Sequence, residues 1–500
     1  MSGNSRMASP QGFIEKHGLW TDAQQARAAE IKRRLDGGHI KLVRVAWADP
    51  HGASRAKTVT AGAFIGALTS GYNINVATTT LDSAGARTFA SFTRGGGMGL
   101  TEMTGSPNLT IVPDPLTFRV LPWAEDIGWV LCDEYFNGGT PYHFSPRQLL
   151  KRQLKRLADR GMECRIGLEV EWYLLKPLED LSDDHVGAPG VRGRALRTAP
   201  IEPGLSYHSE TNFDLMQPAL SIMADAYEKL GLPLRSIENE WGPGQVECTF
   251  APKTALETAD NMLLFRTATR QVARRLGLFA TFMTRPAVKG CVSSGWHLHQ
   301  SLVDVDGRNL FMPGANERHL SSLGKTWLGG LIEKAAPASL FSCPTVNGYR
   351  RYRPSSLAPD RACWSYDHRG VMLRVLGGPN DPATRIENRA GEPMANPYLF
   401  IASQIIAGLD GVDNKRDPGP SEEEPYTADR PKLPVTLGDA LKLASGDALY
   451  RAEFGPVFMD YYTRFKGTEL GRFETFLAER GIPAGNDTTE WEQNEYFDFF

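Results

Sequence analysis

The sequence predicts an α+β chain in two domains, the second with helices packed on a large, mainly antiparallel sheet. Three observations predict this. Short runs with alternating apolar and polar residues dominate up to about residue 138. A helix with a clear start and stop, SPRQLLKRQLKRLADRG, then changes the texture. Beyond it, strands such as CRIGLEVEWYLL alternate with long helices such as ALETADNMLLFRTATRQVARRLG. We assign 1–138 to the first domain and 139–500 to the second.

In chain order, residues 21 to 36 form an opening helix that closes at Gly37-Gly38. IKLVRVAWAD follows with the strand period and breaks at a Pro50-His51-Gly52 turn. NINVATTTL, NLTIVPD, FRVLPW and GWVLCDEYF read as further strands, interrupted by the loop RGGGMG. In the next helix Ser145 suits the cap, Pro146 the first turn and Gly161 the left-handed stop. The stretch from 176 to 206 and the segment DPGPSEEEPYTADRPKLP, with Tyr426, read as surface loops.

The bulk numbers exclude several classes. With 55 basic and 58 acidic residues there is no basic excess for nucleic acid, and no polybasic face for a membrane. PYLFIASQIIAGLDG is too short to span a bilayer, and MSGNSRMASPQGF lacks the apolar core of a secretion signal. The six cysteines are scattered without a CxxC pair, against a disulfide scaffold or structural zinc. A cytoplasmic globular protein is expected.

Three acid clusters then need a cation. GLEVEW puts Glu169 and Glu171 on one face of an otherwise apolar strand. ENEWGPGQVECTF turns sharply at Gly242-Pro243-Gly244, so Glu240 and Glu247 can converge. RIENR places Glu387 between Arg385 and Arg389. Carboxylates about 4 Å apart repel by about 4 kcal/mol at an effective dielectric near 20. Gathered together, they would shift their pKa values or bind cations. SSGWHLHQSL adds His297 and His299, two residues apart and so roughly 6.6 Å along one strand face. The pair could clasp one metal, serve two different ligands or simply bond to the backbone. Oxygen donors with an imidazole favour Mg²⁺ or Mn²⁺ over zinc. Arg350, Arg351, Arg353, Arg369 and Arg374 supply forks for carboxylate or phosphate oxygens. Each cluster alone could be solvated surface; acids and arginines in one site suit phosphoryl transfer onto a carboxylate.

In this order the motifs GLEVE, EWGPGQVE, GWHLH, NGYRR, the HR at 368–369 and RIENR before NPYL resemble the glutamine synthetase family over nearly the whole chain. The resemblance implies an N-terminal β-grasp domain, a catalytic domain on a large antiparallel sheet, and a homo-oligomer, commonly a double-ring dodecamer with shared active sites. It implies an ATP-dependent ligase that makes γ-glutamyl phosphate from ATP and glutamate, from which an amine displaces phosphate. Carried over, Glu171, Glu240 and Glu247 hold one Mg²⁺ or Mn²⁺, and Glu169, His297 and Glu387 the other. His299, Ser301 and Arg385 lie near ATP, and Arg369 and Arg374 neutralise phosphate oxygens. Arg351 and Arg389 grip the amino-acid carboxylates. Asp49 reaches into the adjacent subunit's site to help deprotonate the amine, and Tyr207 matches, more loosely, a tyrosine of the amine pocket.

Two departures bear on the substrate. Where ammonia-using members carry a glutamate before Ala-Pro, this chain has Leu357, and Val292-Ser293 replaces an Asn-Gly that contacts the amino acid. Losing an anion removes the attraction for ammonium, whereas an organic amine gains about 25 cal/mol per Å² of apolar surface buried. An aniline-like or small alkyl amine is therefore expected ahead of a polyamine, with Tyr349, Tyr352, Trp364 and Tyr366 as candidate pocket walls. Ordinary glutamine synthesis, a non-catalytic shell and an unrelated metal-dependent hydrolase are the rival readings.

Overall fold

The computed structural model describes residues 11–353, 356–483 and 485–500. The first ten residues, and with them most of the segment read for a secretion signal, lie outside the described residues.

The alternating runs of the first domain pair into one sheet of six strands: β1 (Leu42–Ala48), β2 (Ser54–Thr60), β3 (Tyr72–Asn75), β4 (Asn108–Pro113), β5 (Arg119–Leu121) and β6 (Ala124–Tyr135). The order is β2-β1-β6-β4-β3, with β5 on β6. β1 and β2 form an antiparallel hairpin, but β1 runs parallel to β6, with Leu42 opposite Ile127 and Ala46 opposite Leu131. That parallel central pair gives the sheet its grasp-like form. NINVATTTL is extended only as far as Asn75. There the asparagine side chain accepts the Ala77 N–H at 2.7 Å, and Val76–Thr79 turns into a 3-10 helix.

Helix Pro146–Ala158 leads into the second domain, with Pro146 in its first turn and Gly161 at φ +69 beyond its end. Ser145 occupies the cap position, but its hydroxyl makes no capping bond. The ten strands that follow are β7 (Glu163–Pro177), β8 (Thr198–Pro200), β9 (Leu234–Asn239), β10 (Gln245–Phe250), β11 (Lys253–Thr254), β12 (Phe279–Thr281), β13 (Trp296–Val303), β14 (Trp364–Tyr366), β15 (Leu373–Leu376) and β16 (Arg385–Gly391). They form one sheet in the order β14-β15-β16-β13-β7-β10-β9, with β8, β11 and β12 also on β7. Among the described residues of this sheet, only β14 and β15 pair in parallel. The 176–206 stretch is partly organised: β8 lies within it, and Glu179 accepts from Arg194 at 2.7 Å and Arg197 at 2.9 Å.

Helix Ala255–Arg275 packs on β7 and β12 and against helix Pro397–Asp413. The latter is buried along most of its length, which explains its apolar sequence. Among the described residues no helix is long and apolar enough to cross a membrane. One continuous core joins the two sheets. Their junction is pinned by buried Arg147, which donates at 2.8 Å to Asp114, to Asp133 and to Asp260. Removing one partner of such a buried network typically costs about 3–5 kcal/mol. All six cysteines are buried and unpaired.

Candidate active site

Strand register builds the site. Glu169 and Glu171 share one face of β7. Glu171 lies opposite Glu247 of β10, and Glu247 opposite Glu238 of β9. On the other side Glu169 lies opposite His297 of β13, His299 opposite Glu387 of β16, and Glu387 opposite Arg374 of β15. A row of charges and imidazoles thus crosses neighbouring strands, each set down by the two-residue period.

Two glycines make the row possible. Gly244, at φ +76, closes the turn before β10; a Cβ there would lie 2.5 Å from the Leu174 carbonyl oxygen. A Cβ on Gly295 would lie 3.0 Å from Arg351 Nη2, 3.1 Å from His297 Nε2 and 3.2 Å from Glu171 Oε1. Any other residue at 295 would push into the cluster.

Glu169 is the hub. His297 Nδ1 meets its Oε1 at 2.5 Å, and His299 Nε2 meets its Oε2 at 3.0 Å. Arg385 Nε donates to His299 Nδ1 at 3.0 Å, which fixes the proton of His299 on Nε2, facing Glu169. Glu387 lies 3.6 Å from His297 Nδ1 and accepts from Arg374 at 3.1 Å and Arg389 at 2.5 Å. Gln245 donates to Glu171 at 2.8 Å and to Ser294 at 3.0 Å.

The electrostatics divide the row. Burial pushes Glu171 up to about 8, and the neighbouring Glu240 charge adds to this. Burial raises Glu240 to about 7 and, with the charges of Glu169 and Glu171, Glu247 to about 10. Burial also opposes charge on Glu169, but His297 and His299 outweigh it and hold that carboxyl far below its usual range. Glu387 is lowered too: His297, Arg389 and His299 overcome its burial. Acids held protonated by burial and by one another's charge are acids short of a cation.

A divalent metal fits this donor set. Glu169, Glu247 and His297 have ligand atoms within 4.8 Å of one another, and so do Glu169, His299 and Glu387. The set carried over from the family for one ion, Glu169, His297 and Glu387, is also gathered here: His297 Nδ1 lies 2.5 Å from Glu169 and 3.6 Å from Glu387. Glu169 stands directly across from His297, and both imidazoles of β13 converge on it.

The remaining expected residues scatter. Ser301 follows on the same face of β13, opposite Arg165. Arg351 is buried and donates to the carbonyls of Ala390 at 3.0 Å, Gly391 at 2.5 Å and Arg389 at 3.1 Å, so its fork is largely occupied by backbone. Arg389 is likewise engaged, with Glu387 and with the Arg369 carbonyl at 3.0 Å. Arg369 is exposed. Leu357 is half exposed and left-handed, at φ +60. Val292 is pinned by the Tyr173 hydroxyl at 2.8 Å, and Ser293 accepts from Arg285 at 3.2 Å.

Asp49 differs most from expectation. It has no exposed surface, accepting from Arg55 Nε at 2.7 Å and the Ala53 N–H at 2.9 Å. Its turn folds the carboxylate back onto the chain's own Ala53 and Arg55. The expected aromatic walls differ as well: Tyr349 belongs to the core, Tyr352 packs against it, Trp364 donates to the Gly419 carbonyl, and Tyr366 stacks on His319. Tyr426 is tucked in, its hydroxyl 3.4 Å from the Ala358 carbonyl. The aromatics beside the acids are Tyr207 and Trp241. Sequence reasoning passed over Trp241, Gln245 and Glu238; the two-residue period of ENE could have revealed Glu238.

Comparison with known proteins agrees with this geometry. The family described as glutamine synthetase, catalytic domain, matches residues 143–481. The chain is 43% identical to gamma-glutamylanilide synthase of Acinetobacter sp, over 98% of this chain and 99% of that protein. It is 30% identical to glutamate–isopropylamine ligase of Pseudomonas sp, over 79% and 82%. The solved structure of apo GmaS without ligand superposes with a TM-score of 0.74 at 26% identity, covering 93% of this chain and 98% of that one. An acid row fixed by strand register, its arginine partners and these likenesses lead to one conclusion: the chain belongs to the glutamine synthetase family.

Proposed function

We propose that this enzyme joins the γ-carboxylate of glutamate to an organic amine, an aniline-like or small alkyl amine in preference to ammonia. It is an ATP-dependent carbon–nitrogen ligase, and enzymes of its family use ATP and a divalent metal. The observation that carries the reading is the row Glu238–Glu247–Glu171 and Glu169–His297, continued by His299–Glu387–Arg374. Two or more Mg²⁺ or Mn²⁺ ions held there by Glu169, Glu171, Glu240, Glu247, His297 and Glu387 would supply the positive charge that ATP and the glutamate carboxylate need. Arg374 and Arg389 orient Glu387, and Arg385 fixes the proton of His299.

The choice of amine rests on Leu357, which offers an apolar surface where an anion would draw ammonium, and on the names of the relatives at 43% and 30% identity. We take the working form to be a cytoplasmic ring assembly of this chain, as a double-ring dodecamer. The test is phosphate release from ATP and glutamate with ammonia, ethanolamine, isopropylamine, putrescine and aniline in parallel. Organic amines should lead. A large preference for ammonia would overturn the reading, and so would a lack of turnover with every amine.

A further inference from the structure

Tyr207 and Trp241 stack almost parallel, with ring centroids 5.7 Å apart at 8°. Each leaves about half its surface open, 48% and 47%. Tyr207 also stacks on His208 at 3.8 Å and 22°, and His208 Nε2 meets Glu238 Oε2 at 3.0 Å.

The stack is tied to the acid row. Trp241 follows Glu240, whose Oε2 accepts the Trp241 N–H at 3.3 Å. The Leu205 N–H donates to the Trp241 carbonyl at 2.8 Å, which knots the two loops together. Leu205 and His208, flanking Tyr207, sit at φ +62 and +56. Left-handed backbone at two non-glycine residues costs roughly 1–3 kcal/mol each and is held only by its surroundings. An open aromatic plate kept in place by strained backbone is a surface built for contact.

We infer that Trp241, backed by Tyr207, is a specificity-determining residue that takes the ring of an arylamine and favours aromatic over aliphatic amines. The inference rests on the ligase reading above and sharpens its substrate class. A flat plate matches a flat ring. A cage for an alkylammonium needs aromatic faces on several sides, whereas here two parallel rings stack on each other and enclose nothing. Arylamines are largely neutral near pH 7 and carry the apolar face that the plate would bury.

The experiment measures kcat/KM for aniline and isopropylamine at saturating glutamate, ATP and Mg²⁺ in the parent, Trp241→Ala and Trp241→Phe. Trp241→Ala should lower the aniline-to-isopropylamine ratio about tenfold, chiefly through KM for aniline. Trp241→Phe should restore most of that ratio. An unchanged or raised ratio in Trp241→Ala, including an equal fall for both amines, overturns the inference and leaves the ligase reading intact. A parent inactive with both amines overturns the ligase reading, and the inference falls with it.

Discussion

The acid row and the aromatic rim lie side by side, yet they are built by different means. Glu169, Glu171, Glu247, His297 and Glu387 sit on strands whose neighbours fix their spacing and direction. Tyr207, Trp241 and Leu357 sit on loops, about half exposed, with left-handed backbone at Leu205, His208 and Leu357. The contrast separates two tasks. Holding charge for phosphoryl transfer needs positions that cannot drift, and a ladder of backbone hydrogen bonds supplies them. Choosing the amine needs surfaces that can change without disturbing the ladder, and loops allow that.

The largest effect expected from this division is at Glu247. Glu247→Gln should lower phosphate release by on the order of a hundredfold or more with every amine, because it removes a proposed cation ligand and leaves the rim untouched. Thermal melts should show Mg²⁺ raising the parent's midpoint, with a smaller gain in the variant. A variant that keeps activity within about tenfold of the parent would break the contrast. So would one that changes the amine ranking without changing the overall rate.

Leu357→Glu acts on the other half. It should raise ammonia use relative to aniline about tenfold, since a carboxylate restores an attraction for ammonium and removes apolar contact. The response to Mg²⁺ should stay as in the parent. Parallel assays with the two amines check this; an unmoved ratio would place amine choice elsewhere on the rim.

The same division explains what could be read from the sequence. The strands carrying Glu169, Glu171, His297 and Glu387 were legible because period-two patterning survives without knowledge of the fold. The NINVATTTL run misled because its Asn and Thr side chains capture backbone groups and end the strand early. Trp241 was passed over because a loop has no period to betray its direction. Asp49 was expected to project outward, but a local turn bonds it to Ala53 and Arg55, a feature set by geometry within a few residues. That both imidazoles of β13 meet Glu169 depends on pairing between β7 and β13, which are distant in sequence.

The smallest effect sharpens the contrast from outside the site. Glu134 of β6 is fully buried, and its Oε1 has no partner. Burial, with the nearby Asp133 and Asp49 charges, pushes its pKa up to about 8. An unfolded glutamate titrates near about 4.3. Between those values the folded chain holds a proton that the unfolded chain has lost, so Glu134 lowers stability as pH rises from about 4.3 to about 8, and no further above that. Glu134→Gln cannot lose that proton. Urea melts should therefore show its lead over the parent growing from pH 5 to pH 8, by about 1 kcal/mol or more. A gap independent of pH would show that the carboxyl is not held neutral by the fold. Saturating Mg²⁺ should leave this gap unchanged, because the acids nearest Glu134 already have cations of their own, Asp133 with Arg147 and Lys151 and Asp49 with Arg55, and none is left to share an ion. In the row around Glu169 a cation can relieve the same burden, and that distinguishes a functional acid cluster from a solitary buried one.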